Sequence, residues 1–146
     1  MPFINQHFFG MQLIQTSRGW RAELDRRLAR LGLSQARWLV LLHLASSDDA
    51  PNQCELARSI GVEGPTLARL LDSLESQGLV QRKSVLEDRR AKKIVLCAPA
   101  RPLIEQMETI ATQLRHELFD GADEAELKIC MRVHGHILVN LENLEA

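Results

Sequence analysis

Cysteine is scarce in this chain: Cys54, Cys97 and Cys130 are an odd number at wide spacing. They form neither a disulfide framework nor a zinc-ligand pattern, so reduced thiols and a cytoplasmic location are expected. No apolar run approaches the roughly 20 residues of a membrane helix. The opening "MPFINQHFFGMQLIQTSRG" lacks a basic start and a small-residue cleavage site, so no secretory leader is expected. There is no internal repeat and no low-complexity segment. Net charge is only −1, so the overall balance identifies no partner. What is present is 146 residues at 45% hydrophobic and 25% charged. That suffices for a real core without staples and excludes a disordered chain.

The distribution of charge says more than its sum. Residues 79–93 carry six basic residues and two acids, a local +4. Residues 18–37 carry six arginines and two acids, again +4, whereas residues 101–146 carry four bases and nine acids, −5. Separation of this kind favours an oriented partner, often a polyanion.

Periodicity along the chain is mostly helical. Phe9, Leu13, Trp20, Leu24, Leu28 and Leu31 fall near one face of a long first helix, and Gly32 stops it. Ser34 is the expected N-cap of a second helix carrying Trp38, Leu41, Leu42 and Ala45 inward. After the loop "SSDDAP", Asn52 and Glu55 have capping-box spacing and open a short helix with Leu56, Ala57 and Ile60; Gly61 ends it. In "VEGPTLARLLDSLESQG", Glu63 or Gly64 caps, Pro65 suits the first helical position, and Leu67, Leu70, Leu71 and Leu74 form an apolar stripe up to Gly78. Two strand-like runs follow, Leu79-Val80 and Ile94-Val95-Leu96. Pro99 and Pro102 mark a helix with Leu103, Met107, Ile110, Leu114 and Leu118 on one face. The last helix spaces Leu127, Cys130, His134, Ile137, Leu141 and Leu144 by threes and fours, a coiled-coil-like seam that calls for a partner surface.

A short helix, a tight glycine turn and a second helix make a helix-turn-helix; a hairpin directly after it makes the motif winged. The outward set of the second helix is Thr66, Arg69, Ser73 and Ser76. The N-terminal part of such a helix reaches base edges in the major groove, where Arg pairs with guanine and the Thr methyl meets thymine. The hairpin, with Arg82, Lys83, Arg89, Arg90, Lys92 and Lys93, suits phosphates and the narrow minor groove. Asp88 beside Arg89 and Arg90 is expected to orient a guanidinium rather than touch DNA. Spacing leaves open which arginine enters the groove; Arg90 is favoured. A bland surface hairpin with solubilising charges is the competing reading.

These residues carry a resemblance. "QCELARSIGVEGPTLARLLDSLESQGLVQRKSVLEDRRAKKIVLC" resembles the winged helix-turn-helix of the MarR family of multiple-antibiotic-resistance regulators, nearest to the SlyA-like branch. The matching pieces are "LARSIGV", "PTLARLLDSLESQGLVQR" and "DRRAKKIVL". Similarity extends upstream through "RGWRAELDRRLARLGLSQARWLVLLHL" and, in pattern, through the last two helices. The resemblance implies a homodimer on pseudo-palindromic promoter DNA, dimerised through helices from both chain ends. Pro65, Thr66 and Arg69 then fall on recognition-helix contacts, and Arg89 and Arg90 on the wing tip. Lys92, by its charge in the basic hairpin, is expected to meet phosphate. Cys97 departs from the family's usual Thr, and a thiol is a poor cap for the next helix.

The implied architecture is mainly α: a DNA-binding winged helix-turn-helix at 33–100, with a helical dimerisation region from 1–32 and 101–146. Family members often bind small aromatic acids between the two lobes. The matching region here holds Arg18, Trp20, Arg21, Trp38 and His43, and Arg with Trp suits an aromatic carboxylate. Core packing for the tryptophans and solvation for the arginines is the competing explanation. Some relatives sense oxidants through a first-helix Cys, which this chain lacks. His116, His134 and His136 are scattered, and no acid–base pair, metal spacing or phosphate loop accompanies them, so neither catalysis nor a cofactor is expected. The alternative of another class is a winged-helix protein-interaction module that never touches DNA. It would favour a neutral or acidic wing.

Overall fold

The computed structural model describes residues 4–85 and 88–146, with the side chains of 85–91 outside the description. The elements run α1 (Ile4–Leu28), a 3-10 turn (Ala29–Leu31), α2 (Gln35–Ser46), α3 (Gln53–Ile60), α4 (Gly64–Ser76), β1 (Val80–Val85), β2 (Asp88–Leu96), α5 (Ala100–Leu118) and α6 (Glu124–Glu145). The fold is mainly α with one two-stranded antiparallel sheet, a winged helix-turn-helix. Two compact units divide the chain, 1–112 and 113–146, with the boundary inside α5.

In the first unit, local chemistry sets the helix ends. Ser34 Oγ accepts the Arg37 N–H at 3.4 Å, and Asn52 and Glu55 form a complete capping box at the start of α3. At the end of α4 the Leu79 N–H reaches Leu74 O and the Gly78 N–H reaches Glu75 O, both at 3.0 Å. This is a Schellman closure, and Gly78 at φ 74° takes the left-handed position that a β-carbon would strain. The closure turns the chain directly from α4 into β1.

The core of this unit lies between α2, α3, α4 and the hairpin. Leu67, Leu71 and Leu74 of α4 are fully buried, as are Leu41, Leu56 and Ile94. Truncating any one of these to Ala would cost about 2–5 kcal/mol. The inner stripe of α4 is therefore fixed, and its other faces are presented in a defined orientation.

Several expectations need correction. On α2, Val40 and Leu44 join Trp38 and Leu41 in the core, Leu42 is half-buried and Ala45 is exposed. This helix is apolar nearly all round and meets α1, α3, α4 and β2, so periodicity singles out no one face. Helix α4 begins at Gly64, with Pro65 as its second residue; Glu63 sits at the N-cap without a side-chain bond. A proline anywhere in the first turn removes only an N–H the helix does not use. Leu13 and Leu118, placed on inner stripes by spacing, are exposed, and Leu31 and Leu103 are half-buried.

In the second unit, Asp123 and Glu126 form a capping box that opens α6. That helix buries none of its side chains: Ile129, Met131, Leu138, Val139, Leu141 and Leu144 are all exposed. No helix among the described residues is long and apolar enough to cross a membrane.

Candidate nucleic-acid interface

Three stripes run along α4, each set by the 100° advance per residue. Leu67, Leu71 and Leu74 face the core. Roughly opposite lie Pro65, Thr66, Arg69 and Ser76, all exposed, with Ser73 half-buried among them. Between the two stripes, on one flank, lie Ala68, Asp72 and Glu75. The sequence-predicted contacts Pro65, Thr66 and Arg69 thus share one exposed face in the N-terminal half of the helix, the part a major-groove reader uses, whereas Ser73 lies half-buried on the same side in its C-terminal half.

The hairpin pairs Val80 with Leu96, Arg82 with Ile94, Lys83 with Lys93 and Ser84 with Lys92, then shifts register so that Val85 meets Asp88. In an antiparallel ladder, alternate pairs point their N–H groups away from each other. Ile94 donates its N–H to Pro51 O at 2.9 Å, and Asn52 bridges Lys93, so the segment before α3 acts as a short third strand. Arg82, opposite Ile94, points its own N–H the other way and donates to Glu75 Oε2 at 3.2 Å.

The basic residues of the hairpin do not all have the same job. The Arg82 side chain is only 17% exposed; its guanidinium donates to Asp72 Oδ1 at 2.9 Å and to Ala68 O at 3.2 Å, with Glu75 Oε2 at 3.6 Å. Lys93 donates to Asp49 at 3.2 Å, which offsets the like charge of Lys83 directly across the ladder. Lys83 and Lys92 are exposed. The structural use of Arg82, Lys93 and Asp49 escaped sequence reading, because a basic residue within a basic run gives no sign of its acid. Asp88, Arg89 and Arg90 open β2, but their side chains lie outside the described residues.

The expected effector residues are dispersed on α1 and α2. Arg18 and Arg21 are exposed on α1, Trp20 is half-buried, and Trp38 is buried within α2. His43 lines an open groove of about 260 Å³ with Leu39, Leu42, Ser46, Ser59 and Ile60, whereas the other four residues do not line it. Nearby, Glu23 accepts from both Arg26 and Arg27, at 2.6 and 2.7 Å. Hydrogen bonds from Arg26 and then Arg27 hold its carboxyl down at about 2. The basic stretch 18–37 is thus partly neutralised from within. The cysteine at 97 ends the sheet through its backbone: its N–H meets Leu79 O at 2.9 Å and its carbonyl accepts from Ala100 at 3.0 Å. Helix α5 starts at Ala100, so Cys97 stands three residues ahead of it. No cluster of metal-ligating side chains occurs among the described residues.

Comparison with known proteins gives a consistent result. The family model described as "MarR family" matches residues 31–91, from the end of the 3-10 turn into β2. The crystal structure of transcriptional regulator PA3341 is 64% identical, covers 92% of this chain and 98% of its own, and superposes with a TM-score of 0.81. The S. aureus MepR–DNA complex matches at 22% identity, covering 90% of this chain and 97% of that one, with a TM-score of 0.84. CouR from Rhodococcus jostii RHA1, solved bound to p-coumaroyl-CoA, matches at 22% identity over 88% of this chain and 90% of that one, with a TM-score of 0.77. The two remote structures share the fold.

Proposed function

The chain belongs to the MarR family of transcriptional regulators, and we propose that it regulates transcription by binding pseudo-palindromic promoter DNA sequence-specifically as a homodimer. The observation that carries this reading is the pairing of a presented helix face, Thr66 and Arg69, with an adjoining basic hairpin that exposes Lys83 and Lys92. In this division Thr66, Arg69 and Ser73 read base edges, Pro65 and Lys92 meet the backbone, Arg89 and Arg90 serve the wing, and Asp88 orients them. A basic wing also disfavours the alternative of a protein-interaction module. MepR, a fold relative solved in complex with DNA, supports the DNA-binding reading.

The domain proposal follows the same lines: residues 33–100 form the DNA-binding part, and 1–32 with 101–146 the dimerisation region. Its support is exposed apolar surface on the terminal helices of a single chain. On α1 this includes Ile4, Phe8, Met11 and Ile14, and on α6 Leu138, Val139, Leu141 and Leu144. Apolar surface on this scale marks an interaction face. A SlyA-like branch rests on the wing sequence "LEDRRAKK". A small aromatic carboxylate is the proposed effector class, with Arg18, Trp20, Arg21, Trp38 and His43 as the residues to meet it; CouR, a fold relative solved bound to p-coumaroyl-CoA, supports the aromatic part of that class, its ligand being a thioester.

Genome-wide footprinting of the bound chain, with and without simple aromatic acids, tests the function. Discrete, roughly symmetric footprints are expected. Uniform weak occupancy without preferred sites would overturn the proposal.

A further inference from the structure

Arg82 sits where the wing leaves α4, and its contacts climb one stripe of that helix: Ala68 O, Asp72 and Glu75, at positions i, i+4 and i+7. Its backbone N–H adds a fourth contact, to Glu75 Oε2 at 3.2 Å. We propose that Arg82 is a positioning residue that locks the wing onto the flank of α4, so that the recognition helix and the hairpin meet DNA as one unit. This inference rests on the DNA-binding reading above and deepens it.

Two observations separate a lock from an ordinary phosphate ligand. First, the guanidinium is turned inward: the side chain is 17% exposed and both terminal nitrogens are engaged with α4. A planar guanidinium offers separate nitrogens in a fixed fork, one to the Ala68 carbonyl and the other to the two carboxylates, whereas an ammonium offers a single compact donor atom. Second, Asp72 and Glu75 stay 70% and 44% exposed on a helix flank that adjoins the DNA-reading face. Two uncompensated acids there would repel phosphate, and Arg82 supplies their counter-charge. At the same rung, Ile94 is tied to Pro51 on the opposite edge. The base of the hairpin is therefore held from both sides, and removing Arg82 releases one of them.

The test uses the duplex that the parent chain selects from a randomised pool, and a random-sequence duplex, at one salt concentration. The first variant is Asp72→Asn with Glu75→Gln, which touches exposed groups and should fold. By charge alone it should tighten binding to both duplexes equally. With the lock lost, the ratio of selected to random affinity should instead fall by about tenfold, the size of coupling seen between contacting residues. The second arm is a cycle between Arg82→Gln and Lys92→Ala, on variants verified as folded by circular dichroism. If the wing is unlocked, Lys92→Ala should lose most of its effect in the Arg82→Gln background, with Arg82→Lys in between. A role in folding alone would leave the Lys92 penalty unchanged. Equal tightening on both duplexes, or an unchanged Lys92 penalty, overturns the lock. If the parent chain selects no duplex, the DNA-binding reading fails by itself. Amide exchange in the DNA-free chain then decides the lock: faster exchange at Arg82–Ser84 in Arg82→Gln, with α4 unchanged, upholds it, and equal exchange overturns it.

Discussion

Arg69→Ala and Lys92→Ala should part company when salt is varied. Arg69 is exposed on the presented face of α4, one turn beyond Thr66. Its replacement by Ala costs the fold little, since exposed substitutions lie within about 0.5 kcal/mol and Ala is the better helix former. What it should remove is the proposed bidentate base contact, about 1–3 kcal/mol of discrimination, or roughly 5–150-fold in preference for the selected duplex. Random DNA should barely notice. Lys92, exposed on β2, should act through a phosphate instead. Removing one such contact lowers the slope of log K against log salt by about 0.9. Between 50 and 200 mM salt the gap between parent and Lys92→Ala should therefore narrow about 3.5-fold per chain, or about twelvefold for a dimer carrying two copies. Fluorescence anisotropy on selected and random duplexes at several salt concentrations reads both effects. Equal losses by both variants on both duplexes, or a Lys92→Ala slope equal to the parent's, would refute the division of labour.

Asn52→Ala removes the acceptor of the Glu55 N–H at 2.8 Å and should cost about 1 kcal/mol, near 3 °C in Tm, while Asn52→Asp keeps the cap and most of the stability. Because Arg26 and Arg27 hold the Glu23 carboxyl down from 4.5 to about 2, its contribution is present above about pH 4.5 and fades as pH falls toward 2. Glu23→Gln should flatten that acid limb in a thermal-melt series, and an unchanged limb would assign the acid sensitivity to other carboxylates. Deleting residues 138–146 removes the exposed Leu138, Val139, Leu141 and Leu144, and sedimentation should then show a weaker dimer together with weaker DNA binding. A parent chain that sediments as a monomer at micromolar concentration would contradict the dimer itself.

The elements whose signals are local were legible in advance. Gly32, Gly61 and Gly78 end their segments, Asn52 with Glu55 opens α3, and the leucine stripe of α4 points inward. Asp123 with Glu126 carries the same spacing signal and opens α6. Long-range pairings left no local trace. Nothing near Arg82 reveals that its carboxylates lie seven and ten residues back, and nothing in Pro51 announces a strand partner at Ile94. Ala45 is exposed against expectation because an apolar helix touching several neighbours has no single inner stripe. For the candidate site, the exposed face of α4 that carries Thr66 and Arg69 followed from helical period alone. The split of the wing's charge between scaffold and surface required knowing which acids fold back against it.

A hairpin standing alone has two raw edges, each a row of unpaired backbone groups on which a stranger's strand could grow. At the Arg82–Ile94 rung neither edge is open: a carboxylate of α4 takes one outward N–H and the carbonyl of Pro51 takes the other. Farther out, the exposed lysines at 83 and 92 make the hairpin a poor template for stacking with its own kind. The features that present positive charge to a polyanion thus also keep crowded copies of the chain from zipping together, and neutralising Lys83 and Lys92 would weaken both at once.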